Sequence, residues 1–167
     1  YITLIRPYDW VKNLILFLPI FFSNDIYDPD AIKQIIKLFF VFCVLSSTIY
    51  VFNDICDISQ DKLSKVSKKN KPLAQEKITK KNAIIFFVFL LIFSLVTIFF
   101  QKQLTLYCCI FFLLINFLYS LILKNIFFIE MLIIAVSYVT RLYASSFQAE
   151  IYLSFTMIAL VFTTVIF

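Results

Sequence analysis

The chain has 167 residues, of which 62% are hydrophobic and 19% aromatic, and its mean hydropathy of +0.96 excludes an ordinary soluble domain. It contains no His and no Gly, which excludes a Ser-His-Asp triad, a His-bearing zinc site, a P-loop and a dinucleotide-binding glycine motif. The net charge of +5 comes largely from one lysine-rich loop, so it indicates membrane orientation and a preference for anionic lipids or substrates, not nucleic-acid binding.

Long apolar runs predict a polytopic bundle of membrane helices. A bilayer core about 30 Å thick requires roughly 20 mostly apolar residues per helix. The predicted fold is therefore all-α, a single transmembrane domain over residues 1–167 with about six spans. These spans are predicted at residues 14–22, 32–52, 83–100, 104–123, 126–147 and 151–167. Pro19 is expected to kink the first span, and Ala, Ser and Thr must take the place of Gly between helices.

An acidic stretch follows the second span without a break. If the helix continues past residue 52, three carboxylates fall on one stripe, because they are spaced by three and four residues. They belong to Asp54, Asp57 and Asp61, and Asn53 lies one turn before Asp57. Like charges at this spacing repel each other. A hard divalent cation that takes oxygen ligands suits such a stripe and would hold a phosphate or diphosphate against it.

Lysines crowd the loop behind the acidic stripe, at residues 62, 65, 68, 69, 71, 77, 80 and 81. A plainer interpretation is a solvated helix end followed by a positively charged cytoplasmic loop. Acidic residues contribute little to topology, so that interpretation explains the lysines but not the spaced acids.

The fifth predicted span carries two ionisable residues, Glu130 and Arg141. They are eleven residues apart, which is about three helical turns, so they share a face and could line one cavity at two heights. The alternatives are that Glu130 is an interfacial residue and that Arg141 forms a structural ion pair or snorkels to the interface.

The distribution of Lys and Arg predicts the orientation. With the N-terminus inside, most of the positive charge, including the lysine-rich loop, lies on the cytoplasmic side. We therefore expect an integral membrane protein whose acidic stripe faces the cytosol. Its substrate would be a cytosolic phosphate compound, a lipid head group within reach of that leaflet, or both.

Several short motifs occur together in the chain. The sequence reads NDxxDxxxD from Asn53 to Asp61, RPxxWxKN from Arg6 to Asn13, and Lys71-Pro72-Leu73 in the loop, followed by Tyr119-Ser120 with Lys124-Asn125 and by Arg141 with Ala144. Together they resemble the UbiA superfamily of intramembrane prenyltransferases, and most closely its decaprenyl-phosphate phosphoribosyltransferase branch. The chain departs from the superfamily at Lys71, where Arg is usual, at Glu130, where the branch has Asp, and at Ser137 and Ser145, near positions of Gly.

The resemblance implies the N-terminal part of a nine-helix fold, cut at both ends and inactive alone, with a second acidic motif further along. It implies Mg²⁺ at the catalytic carboxylates of Asp54, Asp57 and Asp61, with Asn53 assisting. The implied substrate-binding residues are Lys12, Asn13, Lys68, Lys71, Tyr119, Lys124, Glu130 and Arg141. The lysines would contact phosphates as point charges, and the ring of Tyr119 would steady a cation.

Two reactions fit the resemblance, and both expel diphosphate. In the first, a polyprenyl phosphate takes the 5-phosphoribosyl group of phosphoribosyl pyrophosphate. In the second, an aromatic acceptor takes the prenyl group of an allylic polyprenyl diphosphate. A cation transporter or a non-catalytic membrane scaffold is an alternative of another class, although charge confined largely to one membrane face argues against a transport path.

Overall fold

The computed structural model describes residues 1–64 and 71–166, so the predicted phosphate contact Lys68 lies outside the described residues. The helices, in chain order, are α1 (Ile2–Ile5), a 3-10 helix (Pro7–Phe17), α2 (Leu18–Phe21), a 3-10 turn (Asn24–Tyr27), α3 (Pro29–Cys56), α4 (Ile58–Leu63), α5 (Lys80–Phe99), α6 (Gln103–Leu121), a 3-10 turn (Leu123–Asn125), α7 (Phe127–Ala149) and α8 (Phe155–Ile166). These ranges contain no strand, and the predicted all-α class is confirmed.

Four helices, α3, α5, α6 and α7, are long and apolar enough to cross a membrane. They correspond to the second to fifth predicted spans. The first predicted span takes another form, because its chain winds as a 3-10 helix and changes to the short α2 at Leu18. Pro19 lies in the first turn of α2, where its missing N–H leaves no helical hydrogen bond unmade. The sixth predicted span corresponds to the shorter helix α8.

Helix α3 lies at the centre of the bundle and packs against the long 3-10 helix, α5, α6 and α7. Its fully buried residues Ile35, Leu38, Phe42 and Leu45 recur every three or four positions, as one face of a helix requires. The ring of Phe42 meets that of Phe112 on α6 edge to face, with 5.2 Å between centroids. Lipid tails are as apolar as these side chains, so close packing, and not escape from water, stabilises the contact.

Small polar residues mediate the closest helix contacts. Ser46, Ser47 and Thr48 are buried on α3, and Ser94 is buried on α5. The hydroxyls of Thr48 and Ser94 lie 2.8 Å apart and join the two helices. The prediction that small residues take the place of Gly between helices is confirmed at this contact.

Three described residues, Arg6, Glu76 and Glu150, have positive φ angles, of 48°, 60° and 60°. A residue with a Cβ atom pays about 1–2 kcal/mol in this left-handed region. The chain has no Gly to place at these positions, and each of the three residues makes an ion pair. Arg6 pairs with Asp54 at 2.6 Å, and the two glutamates pair with lysines at 2.6 Å and 2.8 Å.

The hydroxyl contact between α3 and α5 predicts a measurable coupling. In a double-mutant cycle of Thr48→Val and Ser94→Ala, we expect a coupling energy of about 0.6 kcal/mol, and below about 2 kcal/mol, from reversible unfolding in detergent micelles. The control cycle replaces Thr48→Val by Thr163→Val, whose hydroxyl donates to the backbone of its own helix, and should show no coupling. Equal coupling in the two cycles would contradict the contact.

Candidate functional site

The acidic stripe crosses the junction between α3 and α4. Asp57 lies at the junction, with φ −94° and ψ 2°. Helical hydrogen bonds nevertheless continue across it, from the Asp57 amide to the Asn53 carbonyl and from the Asp61 amide to the Asp57 carbonyl, each at 2.9 Å. The carboxylates therefore keep near-helical spacing, with an interruption at Asp57.

Asp54 and Asp61 share a lysine. Lys71 Nζ lies 3.2 Å from Asp54 Oδ1 and 2.8 Å from Asp61 Oδ2. Asp54 is 2% exposed, and its Oδ1 also accepts a hydrogen bond of 2.6 Å from Arg6 Nη2. Two cations from separate segments thus neutralise a buried carboxylate that would be costly to leave unpaired.

The turn that carries Lys71 is anchored by its own sequence. Leu73 is buried in a cluster with Leu4, Val51 and Ala83, which holds the turn against α3. Burial lowers the pKa of Lys71, but the hydrogen bond to Asp61 and the charge of Asp54 outweigh this effect and raise the pKa above its ordinary value. Lys71 is therefore cationic at neutral pH.

Asp57 belongs to a second cluster, formed with the connection between α6 and α7. Lys124 Nζ pairs with Asp57 Oδ1. The Glu130 and Asp57 carboxylates both lie within electrostatic range of the Tyr119 hydroxyl. Four predicted site residues, two of them acidic, thus meet at the same end of α3 as Asp54.

Arg141 forms a third polar group, deeper in the bundle. It is 6% exposed, its Nε donates to Asn13 Oδ1 at 3.0 Å, and its Nη1 donates to the Ser137 carbonyl at 3.1 Å. The guanidinium carbon lies 4.5 Å from the centroid of the Phe112 ring. None of the ion pairs within the described ranges involves Arg141, so its charge is stabilised by neutral groups and rings.

The contact of this polar group with α3 gives its position along the helix axis. Ser46 Oγ donates to the same Asn13 Oδ1, at 3.4 Å. Ser46 precedes Asp54 by eight residues, which corresponds to about 12 Å along the helix axis. Asn13 and Arg141 therefore lie about 12 Å further into the bundle than the carboxylate of Asp54.

The neighbouring motif residue Lys12 points elsewhere. Its Nζ pairs with Asp9 at 2.7 Å and lies 5.9 Å from the centroid of the Tyr50 ring. The Arg6 guanidinium lies over the same ring, at 5.1 Å. Arg6 is absent from the predicted substrate-binding residues, although its place directly before Pro7, at the start of the first apolar segment, is a signal that would select it.

The arrangement of possible metal-ligating side chains limits how a metal ion could bind. In residues 1–64 and 71–166, no three Asp, Glu, Cys or His side chains gather closely enough to hold one. Mg²⁺ commonly takes one or two carboxylates and completes its shell with water and substrate phosphates. The oxygens of Asp54 and Asp61, which meet at Lys71, are ligands of the type that Mg²⁺ takes.

The profile of the UbiA prenyltransferase family matches residues 14–167, nearly the whole chain. The chain belongs to this family. Its four long apolar helices agree with the membrane location of the family, and the chain is an integral membrane protein.

Two curated relatives match a shorter part of this UbiA family member. It is 35% identical over 75 residues to nodulation protein NoeC of Azorhizobium caulinodans. It is 34% identical over 77 residues to decaprenyl-phosphate phosphoribosyltransferase of Mycolicibacterium smegmatis. In both cases the match covers 44% of this chain and 24% of the relative.

The fold is similar to that of a UbiA homolog from Archaeoglobus fulgidus. The structure of that protein with DMAPP and Mg²⁺ gives a TM-score of 0.74 at 17% identity and covers 97% of this chain. The structure with GPP and Mg²⁺ gives 0.76 at 17% identity and covers 99%. This chain spans 58% and 59% of those chains, so the similarity concerns the fold of rather more than half of the homolog.

The shared neutralisation of Asp54 predicts non-additive stability changes. Arg6→Gln or Lys71→Gln alone should lower the free energy of unfolding by about 1–2 kcal/mol, because one cation remains beside the carboxylate. The double variant should lose about 3–5 kcal/mol, because Asp54 is then buried without either partner. Chemical unfolding in detergent measures the three values. Lys12→Gln, which breaks an exposed pair, should cost about 0.5 kcal/mol or less, and strictly additive losses at Arg6 and Lys71 would refute the shared role.

Proposed function

We propose that the protein is a membrane transferase that moves the 5-phosphoribosyl group of phosphoribosyl pyrophosphate to a polyprenyl phosphate. The observation that carries the proposal is that one end of α3 holds two ion-pair clusters. Asp54 and Asp61 pair with Arg6 and Lys71, and Asp57 pairs with Lys124. Such a set of mixed charges can receive a diphosphate and its counter-ion together. The 34% identity to a decaprenyl-phosphate phosphoribosyltransferase over 77 residues supports the choice of substrates.

In this reaction a phosphate oxygen of the lipid attacks C1 of the ribose, and the bond from C1 to the pyrophosphate oxygen breaks. The electron pair of that bond leaves with pyrophosphate, so negative charge grows on the leaving group. Arg6 and Lys71 neutralise it from the acidic stripe, and Lys124 neutralises it from the side of Asp57. When bound, Mg²⁺ would take one or two of the carboxylates of Asp54, Asp57 and Asp61, with Asn53 assisting, and would supply further neutralisation of the diphosphate.

In this proposal, substrate binding exchanges the ion-pair partners of the charged side chains. In the structure, the carboxylates of Asp54 and Asp61 pair with Arg6 and Lys71. As the diphosphate enters, Arg6 and Lys71 turn to phosphate oxygens, and the carboxylates would then be free to hold a counter-ion. Arg6 can bind two oxygens at once through its planar guanidinium, whereas Lys71 acts as a point charge. The site stays close to neutral throughout, which keeps the desolvation cost of binding small.

Arg141 favours a phosphate-bearing acceptor over an aromatic one. A buried guanidinium without a carboxylate partner in the described ranges is an anion-binding group in a low-dielectric setting. A polyprenyl phosphate brings such an anion, with its apolar tail in the membrane. In prenyl transfer, by contrast, a carbocation would form within the same bundle, and the positive charge of Arg141 would oppose it. Asn13 positions Arg141, and Lys12, Lys68 and Lys124 are further candidate phosphate contacts.

Aromatic prenyl transfer is the second candidate. The observation in its favour is the fold similarity to a UbiA homolog whose structures contain DMAPP or GPP with Mg²⁺. Tyr119, which lies beside Glu130 and Asp57, would present its ring to the cation in that reaction. For either reaction we place the acidic stripe on the cytosolic face of a bacterial inner membrane, because the lysine-rich loop follows the positive-inside rule.

A transfer assay separates the two candidates. Membranes that contain the full-length protein, given Mg²⁺, polyprenyl phosphate and labelled phosphoribosyl pyrophosphate, should yield labelled lipid. Membranes with the Asp54→Asn variant are the control and should yield little labelled lipid. Label transfer restricted to an allylic diphosphate and an aromatic acid would replace the first reaction by the second, and inactivity with both donor and acceptor pairs would refute the transferase proposal.

The role of the carboxylates has its own test. Asp54→Asn and Asp57→Asn should each lower kcat by about a hundredfold or more, because charge neutralisation at the leaving group is lost. Membrane insertion, followed by fractionation, should not change. Asp30→Asn, an exposed carboxylate at the other end of α3, is the matched control and should retain full activity. Wild-type kcat in either site variant would contradict the role proposed for the stripe.

A further inference from the structure

A cavity of about 590 Å³, lined by both polar and apolar side chains, lies at the end of α3 opposite to the acidic stripe. Its polar wall is formed by Gln34 and Lys37 of α3, by Thr97, Gln101 and Lys102 at the end of α5 and the following turn, and by Gln148 of α7. Lys37 precedes Asp54 by 17 residues, so the two ends are about 26 Å apart along the helix axis. The cavity therefore belongs to the other membrane face and is separate from the proposed transferase site.

A hydrogen-bonded amide network shapes this cavity. Gln148 is 3% exposed, and its Nε2 donates to Gln34 Oε1 at 2.9 Å. Its Oε1 accepts a hydrogen bond of 3.4 Å from the backbone amide of Lys102. Gln101 is fixed by a 2.9 Å hydrogen bond from its Nε2 to the Thr97 carbonyl. The ends of three membrane helices are thus joined around a polar space.

The net positive charge beside the cavity favours binding of a singly charged anion. Lys102 Nζ pairs with Glu150 at 2.8 Å, so that lysine is already neutralised. Lys37 makes no ion pair within the described ranges, and it leaves one uncompensated positive charge beside the glutamines. A phosphodiester carries one negative charge, whereas a phosphate monoester carries up to two at neutral pH.

The surroundings of the cavity select a lipid. Phe40 lies one turn after Lys37 on α3, and it is exposed, as are Phe99 and Phe100 at the end of α5. Phe100 also lines the cavity. Exposed phenylalanine rings on a membrane helix contact lipid acyl chains, which are as apolar as the rings. A ligand with a charged head and an apolar tail therefore satisfies both parts of this surface.

We propose that this cavity binds the phosphodiester head group of an anionic phospholipid. Lys37 pairs with the phosphate, and the glutamine side chains accept and donate hydrogen bonds around it. The acyl chains lie along the exposed phenylalanines. The bound lipid links the ends of α3, α5 and α7 on the face opposite to the acidic stripe.

The test is lipid retention in nanodiscs of phosphatidylcholine with a minor fraction of phosphatidylglycerol. Native mass spectrometry of the full-length protein should show preferential retention of phosphatidylglycerol. Lys37→Gln should weaken this preference about fivefold, because a lysine near a membrane surface contributes on that scale. Lys37→Arg, which keeps the charge, should retain it. Transferase activity should not change in either variant, because Lys37 lies outside the transferase site.

Lys33→Gln is the matched control, since Lys33 is exposed one turn earlier on the same helix and does not line the cavity. An equal loss in Lys33→Gln and Lys37→Gln would overturn the proposal in favour of general surface attraction. Full competition by millimolar inorganic phosphate would also overturn it, since the ligand would then be a free phosphate and not a lipid. Equal retention of the two phospholipids by the wild-type protein would refute an anionic site.

Discussion

A carboxylate that is 2% exposed at the end of a membrane helix has to be neutralised before the helix can pack. Arg6 and Lys71 neutralise Asp54 from two segments that lie far apart in the sequence. Both segments pack against α3, and Leu4 and Leu73 meet in one apolar cluster beside the ion pairs. The same contact that stabilises the bundle thus builds the candidate diphosphate site.

Polar contacts along α3 occur at three depths. The ion pairs of Asp54 lie at one end, Ser46 meets Asn13 and Arg141 in the middle, and Gln34 meets Gln148 at the other end. Apolar side chains fill the space between them. For an apolar side chain, packing against lipid and packing against another helix are similar in free energy. Polar contacts at several depths therefore specify the height of each helix relative to its neighbours.

The long helices were accessible from sequence because an apolar run of about 20 residues has few alternatives in a membrane. The stripe of Asp54, Asp57 and Asp61 also follows from spacing alone. Partners were not accessible, because Arg6 and Asp54 are separated by 48 residues and Asn13 and Arg141 by 128, and tertiary packing decides such pairs. The 3-10 winding over Pro7–Phe17 was missed too, since apolar residues fit either helix type.

The order of the partners along the chain has a consequence for biogenesis. Arg6 is synthesised before Asp54, so this carboxylate has a counter-charge as soon as α3 forms. Asp57 pairs with Lys124, which follows it by 67 residues. At about 5–20 residues per second, that interval lasts about 3–13 s. During co-translational insertion, Asp57 therefore stays exposed to water until Lys124 has been synthesised. The second cluster forms only after α6 has been made.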